Sequence, residues 1–236
     1  MNRTSFRAFL FAAAALCASG FSTVAQSQGA GSVECGRDFC DWDYYSASSD
    51  PGRANRLYNE EKYHLQLGIE RVRQRLYASA LPEFLHILGV FPNHPVALDR
   101  FSQLCELWRD PKCSGQLGDR LARAIAVNPN APGTYEVIGI SQLRYKQPKQ
   151  SVESCKKALE LNPNSVNAHY TLGLAYFELK QYSLANEHAQ KAYELGAPLP
   201  GLREKLRGVG QWKPNATPAT AAPAPTSEPD KPAATK

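Results

Sequence analysis

One short motif recurs through the middle of the chain and constrains its fold more than any other feature. It reads Phe91-Pro92-Asn93, Asn128-Pro129-Asn130, Asn162-Pro163-Asn164 and Gly196-Ala197-Pro198. The Pro-Asn steps lie 37 and 34 residues apart, and Ala197 lies 34 beyond Pro163. A period in this range marks stacked supersecondary units rather than one globular core. Alignment on it brings Leu67-Gly68, Ile138-Gly139 and Leu172-Gly173 into register, with Phe101-Ser102 in the same place in the second unit. Downstream, Ala80, Phe84 and Ile87 align with Leu117, Leu121 and Ala124. Ser151, Cys155 and Ala158 follow, then Ala185, Ala189 and Ala192. A Gly or Ser beside a large apolar residue lets a neighbouring helix approach closely, and small residues one turn apart let a second helix nest. Pro at the head of a unit stops one helix and starts the next.

On these residues the chain resembles the tetratricopeptide-repeat (TPR) family over roughly 61–199, with two antiparallel helices per 34-residue unit. The last unit matches best, through His169-Tyr170-Thr171-Leu172-Gly173-Leu174-Ala175-Tyr176 and then Ala185, Ala189, Ala192 and Pro198. The resemblance implies an all-α fold, an α-solenoid of about four TPR helix pairs at 61–94, 95–131, 132–165 and 166–199, within a domain spanning 56–212. A terminal repeat exposes an apolar face, so a capping helix is expected over 200–212. Leu202, Leu206, Val209 and Trp212 share one face of it, and Trp212 folds back after Gly208 or Gly210. Three departures stand out. Arg71 and Gln142 replace the family's Tyr. Pro82 moves the start of its helix to about Leu81, with Ser79 or Ala80 as the cap. The second unit carries three extra residues around Trp108-Arg109-Asp110-Pro111-Lys112-Cys113. Cys35-Gly36 with Asp43-Tyr44, and the stretch from Leu195 to Leu206, further resemble a group of exported bacterial TPR proteins with no settled activity.

The ends differ from the middle. Arg3 and Arg7 precede an apolar run from Ala8 to Phe21, followed by Ser22-Thr23-Val24-Ala25. A basic start, a short apolar run and a small-residue exit describe an export signal over 1–25, cleaved near Ala25. The run is too short for a membrane span, which needs about 20 residues. Loss of Arg3 and Arg7 lowers the formal net charge from +5 to +3. Neither value suggests nucleic acid, which needs a clustered basic face. The expected location is periplasmic or secreted. Residues 26–55 are mostly irregular, with Cys35, Cys40, Phe39, Trp42, Tyr44 and Tyr45 suggesting a short ordered lid. Residues 213–236 form a Pro/Ala-rich tail without aromatics or large aliphatics, a composition that does not offset its ordering entropy.

Signal cleavage removes Cys17 and leaves five cysteines, an odd number. In an exported chain local disulfides are expected, Cys105 with Cys113 across the enlarged turn and Cys35 with Cys40 in the lid. A bridge of the first size stabilises by about 2.5 kcal/mol in the chain-entropy account. Cys155 then stays as a buried thiol. Zinc is the competing reading, but Cys-x4-Cys and Cys-x7-Cys lack the usual finger spacing, so no metal and no cofactor are expected.

No catalytic motif is present: the chain lacks His-Glu-x2-His, Gly-x-Ser-x-Gly and Gly-x4-Gly-Lys. Glu60, Glu61 and His64 read as a solvated helix face. So does the basic stretch Arg144, Lys146, Lys149, Lys156 and Lys157. What the resemblance offers is a concave groove lined by first helices, where peptides dock. Its outward residues would be Leu65, Ile69 and Val72, Asp99 and Gln103, Glu136, Ile140 and Leu143, and Tyr170, Leu174 and Phe177. The Lys/Asn clamp by which some members hold a C-terminal carboxylate is absent. The expectation is a non-catalytic protein–protein interaction scaffold of the cell envelope, holding a protein or peptide segment in this groove. The competing expectation is an envelope enzyme or cell-wall-binding protein that uses the N-terminal Cys and aromatic segment.

Overall fold

The computed structural model describes residues 40–214. The export-signal reading, Cys35 and nearly all of the Pro/Ala tail fall outside the described residues. Within them the structure is helical and contains no strand. A 3-10 turn, Tyr44–Ser49, leads into α1 (Pro51–Asn59), a π-helical turn (Glu60–Leu65) and α2 (Gln66–Arg73). Asn59, Glu60, Leu65 and Gln66 all keep right-handed helical angles, so these three segments run on as one rod. There follow α3 (Tyr77–Val90), α4 (Pro95–Trp108), α5 (Pro111–Val127), α6 (Pro132–Arg144) and α7 (Pro148–Leu161). The array ends with α8 (Val166–Glu178), α9 (Tyr182–Glu194) and α10 (Gly201–Gly208).

The boundaries follow from local chemistry. Pro opens α4, α5, α6 and α7, where its missing N–H costs nothing. Asp110 and Ser165 cap α5 and α8 by accepting from Cys113 N and Ala168 N. The turn inside each helix pair is closed by one basic residue in the left-handed region: Arg75, Arg109, Lys146 and Lys180 have φ of 61°, 57°, 60° and 59°. A side chain is strained there, and glycine is the usual occupant.

Small residues at the aligned positions do set the helix spacing. A Cβ on Gly68 would meet Phe84 at 2.8 Å, one on Gly139 would meet Cys155 Sγ at 2.5 Å, and one on Gly173 would meet Leu202 at 2.6 Å. In the second unit Ser102 takes this place and shares a 2.7 Å hydrogen bond with Ser141. The core falls into three clusters, the smallest of them Cys40, Ala47, Val90 and Phe91 beneath the N-terminal segment. Phe84, Ile87, Leu88, Leu98, Phe101 and Leu104 fill the first half, and Leu172, Ala175, Ala189, Leu202 and Leu206 fill the second.

Three local expectations are corrected. Leu65, expected to face outward into the groove, is buried while Leu67 is 42% exposed, because the π-turn that ends at Leu65 shifts the helical phase of the rod. Helix α3 begins at Tyr77, so Pro82 lies inside it rather than in its first turn; Arg71 Nη1 donates to Ser79 O at 2.8 Å beside this interruption. Val209 is exposed, since α10 stops at Gly208. Trp212 does fold back, edge-on to Tyr193. One pairing is loose: α5 packs on α4 far more sparingly than α7 on α6 or α9 on α8.

Candidate partner-binding surface

The π-turn and the first helices α2, α4, α6 and α8 carry the residues expected in the groove, and these divide by what they touch. Leu65 is buried in the first core cluster, with Ile69 and Val72 packed against it. Gln103 accepts from Arg100 Nη1 at 2.9 Å, and Asp99 pairs with Arg144 at 2.7 Å. Glu136 accepts from Ser165 Oγ at 2.5 Å and from Asn167 Nδ2 at 3.2 Å, which fastens α6 to the start of α8. The Tyr170 hydroxyl accepts from Leu202 N at 3.2 Å, so it anchors the capping helix. Its burial pushes the hydroxyl pKa up. The expected acidic centre is thus bound within the array. What stays half-buried and apolar is Ile69 and Val72 on α2 together with a row of Ile140, Leu143, Leu174 and Phe177 on α6 and α8. Lys205 of α10 reaches over the Phe177 ring at 5.2 Å and pairs with Glu178 at 3.5 Å, so the edge of that row is an ion pair.

The basic stretch is partly neutralised. Arg144 is held by Asp99 and Glu106, Lys156 pairs with Glu153 and Lys157 with Glu160.

The segment before α1 does not lie free. Asp43 Oδ1 accepts from Asn93 Nδ2 at 2.6 Å and Asp43 Oδ2 from Asn128 Nδ2 at 3.1 Å, so one carboxylate ties two inter-repeat turns together. Trp42 packs on Phe91, and Tyr44 lies 4.6 Å from the His94 ring. The Tyr45 hydroxyl sits where a Cβ on Gly133 would be, 2.2 Å away. Burial drives its pKa up to about 12, although the residue as a whole keeps 39% of its surface exposed. The aromatic cluster of the N-terminal segment is therefore spent on packing against the turns. Neither Asp43 nor its two asparagines stood out in the sequence as a joint; only the recurrence of Asn in the turns could have hinted at it.

A second surface feature was barely legible in the sequence. The looseness of α5 opens a recess of ≈ 510 Å³ walled by Leu117, Leu121, Ile125 and Ile138, with Ser141, Gln142, Tyr145 and Gln147 at its polar side. Gly115 and Gly118 in α5 would have nothing within 4 Å of an added Cβ. Two such glycines in mid-helix are the one sequence sign that this helix is not tightly clasped.

The cysteines are placed as follows. Cys105 and Cys113 are joined, with Cα atoms 5.2 Å apart. Cys40 is also disulfide-bonded, and Cys35 lies outside the described residues. Cys155 is a buried free thiol, and burial pushes it up to about 12, which removes it from thiolate chemistry. Glu60, read from sequence as part of a solvated face, is instead only 2% exposed and faces His86 across the helix pair. At the other end of the array His169 and His188 share a 3.0 Å Nδ1–Nδ1 contact, and burial lowers the pKa of both.

Residues 148–180, spanning α7 and α8, match the family described as a TPR repeat. No curated protein sequence matches the chain. Among solved structures the fold resembles PilF of Pseudomonas aeruginosa at 16% identity, covering 65% of this chain and 70% of that one with a TM-score of 0.50. It also resembles a thermophilic TPR protein of Thermus thermophilus, TTC0263, at 21% identity, covering 64% and 84% with a TM-score of 0.50. The fold is that of an all-α tetratricopeptide-repeat solenoid. No helix among the described residues is long and apolar enough to cross a membrane.

Proposed function

We propose that this protein is a non-catalytic scaffold of the cell envelope that holds an extended or helical segment of a partner protein along its first helices. One observation carries the reading. Once the polar groove residues are accounted for by internal bonds, Ile140, Leu143, Leu174 and Phe177 remain as a half-buried apolar row on two adjacent helices. Stacked repeats use such surfaces to dock peptides. The envelope location is supported by the signal-like start and by the Cys105–Cys113 bridge, a bond characteristic of oxidising compartments. The test is chemical crosslinking in periplasmic extract with the wild-type chain and with Ile140→Glu combined with Phe177→Ser. The variant should lose the wild-type adduct while keeping its helical circular dichroism. An unchanged adduct overturns the groove assignment.

The recess beside α5 supports a second docking position for the same kind of partner. Leu121→Glu with Ile125→Glu tests it: loss of the adduct in that variant alone moves the partner to α5.

A further inference from the structure

The rod formed by α1, the π-turn and α2 places Glu60 and His64 four residues apart on one face. His86 reaches the same point from α3. One donor atom from each of these three side chains lies within 4.8 Å of those of the other two. They border a recess of ≈ 350 Å³ whose remaining walls are Arg56, Asn59 and Tyr63. A π-turn at such a spot is notable, because these turns are rare and collect at functional sites.

Two oxygens and two rings tell what the recess is suited to hold. Glu60 is nine-tenths buried and more, yet its Oε2 has no hydrogen-bond partner. A buried carboxylate oxygen left in this state is costly. His64 Nδ1 lies 2.7 Å from Glu83 Oε2, and a carboxylate only accepts, so in the neutral ring Nδ1 carries the proton and Nε2 keeps a free lone pair. Glu83 is itself gripped by Arg71. A carboxylate behind a histidine is the arrangement that orients metal-binding imidazoles. His86 Nε2 lies 3.4 Å from Glu60 Oε1. Two ligands about 2.0–2.1 Å from a tetrahedral ion stand about 3.3–3.4 Å apart. Meanwhile Arg56 places its guanidinium in the same spot, with Nε 2.5 Å from Glu60 Oε1 and Nη2 3.5 Å from His86 Nε2. Positive charge already sits where an ion would.

We propose that Glu60, His64 and His86 form a binding site for a divalent transition-metal ion of the zinc class, with Glu83 orienting His64 and Arg56 as the mobile side chain that the ion displaces. Two nitrogens and one oxygen suit Zn²⁺ or Co²⁺ and leave the fourth position open. The Arg56 side chain is 43% exposed and the His64 side chain 37% exposed, so an ion can enter from solvent.

The probe is Co²⁺ added to the untagged full chain, read by its visible ligand-field absorption and followed by competition with Zn²⁺. One equivalent should bind, and Zn²⁺ should displace it. His64→Gln and His86→Gln should each weaken binding by ~100-fold, and Glu83→Gln by ~10-fold, as expected for direct ligands and for an orienting carboxylate. Arg56→Ala should tighten binding, an outcome that a purely structural Arg56–Glu60 pair does not produce. His188→Gln, at the other histidine pair, should change nothing. Helical circular dichroism checks each variant, and the exposed positions of Arg56 and His64 keep those two informative if others fail to fold. The proposal is overturned if neither the wild type nor Arg56→Ala takes up Co²⁺, or if binding survives unaltered in both His64→Gln and His86→Gln.

Discussion

His94 makes a quantitative prediction about acid stability. Its ring is fully buried between the Tyr44 ring and the first turn of α4. Its Nδ1 accepts from Ala97 N at 3.3 Å, which caps α4, and its Nε2 lies 3.2 Å from Glu61 Oε1. That last contact would favour a charged ring if Glu61 were firmly ionised. Burial raises the Glu61 pKa as well, so both partners are pushed toward their neutral forms, and desolvation decides. His94 is held down to about 4 from 6.5. Above 6.5 both folded and unfolded chains leave the ring neutral. Between 6.5 and about 4 only the unfolded chain takes up the proton, so stability falls as the pH is lowered. At pH 4.5 the loss from this one group is about 2 kcal/mol. His169 and His188 act in the same direction, and Glu61 acts against them. The His94 share is isolated by comparison with His94→Asn, which keeps a capping acceptor and does not titrate. Urea unfolding followed by circular dichroism at pH 7 and pH 4.5 measures both proteins. His94→Asn should be the less stable at pH 7, because it gives up ring burial, and should regain about 2 kcal/mol relative to wild type at pH 4.5. Curves that stay parallel within about 0.5 kcal/mol across that range would refute the reasoning and show that Glu61 compensates the charge.

Three further outcomes follow from packing and covalent structure. Gly139→Ala pushes a methyl into Cys155 Sγ and should cost about 1–3 kcal/mol in urea unfolding, with part of the loss recovered in the double variant with Cys155→Ala. Replacing Cys105 and Cys113 together by Ser should lower stability by about 2.5 kcal/mol under non-reducing conditions, and dithiothreitol should narrow the difference from wild type. Arg109→Gly relieves a left-handed side-chain residue at the end of α4 and should stabilise by about 0.5–1 kcal/mol, the strain removed exceeding the extra freedom of the unfolded chain; a lower midpoint in urea would show that the arginine side chain stabilises the turn.

The helix pairs were legible because each depends on residues that repeat. Gly139 and Gly173 sit one period apart, and each allows one close approach of a neighbouring helix or side chain, so period and packing carry the same information. The groove was legible only as a set of positions. Glu136 and Tyr170 occupy places that point outward in an ideal repeat, yet each is claimed by a neighbour, Ser165 and Leu202, that only the assembled chain brings near. Glu60 was misread for a related reason. Its neighbours Glu61, Lys62 and Tyr63 are polar or exposed, and helical spacing therefore assigns the face to solvent; burial comes from α3 and from the π-turn, neither visible in a 3.6-residue pattern. Asn128 shows both sides of this divide in one side chain. Its Oδ1 accepts from Asn130 N at 3.0 Å, and Asn162 does the same for Asn164 N at 3.2 Å. That local turn is what the recurring motif encodes. Its Nδ2 donates to Asp43, 85 residues away in the chain. The first bond recurs with the repeat and is therefore readable from period alone. The second occurs once, joins the N-terminal segment to the array, and could be found only where the fold had already brought its partner.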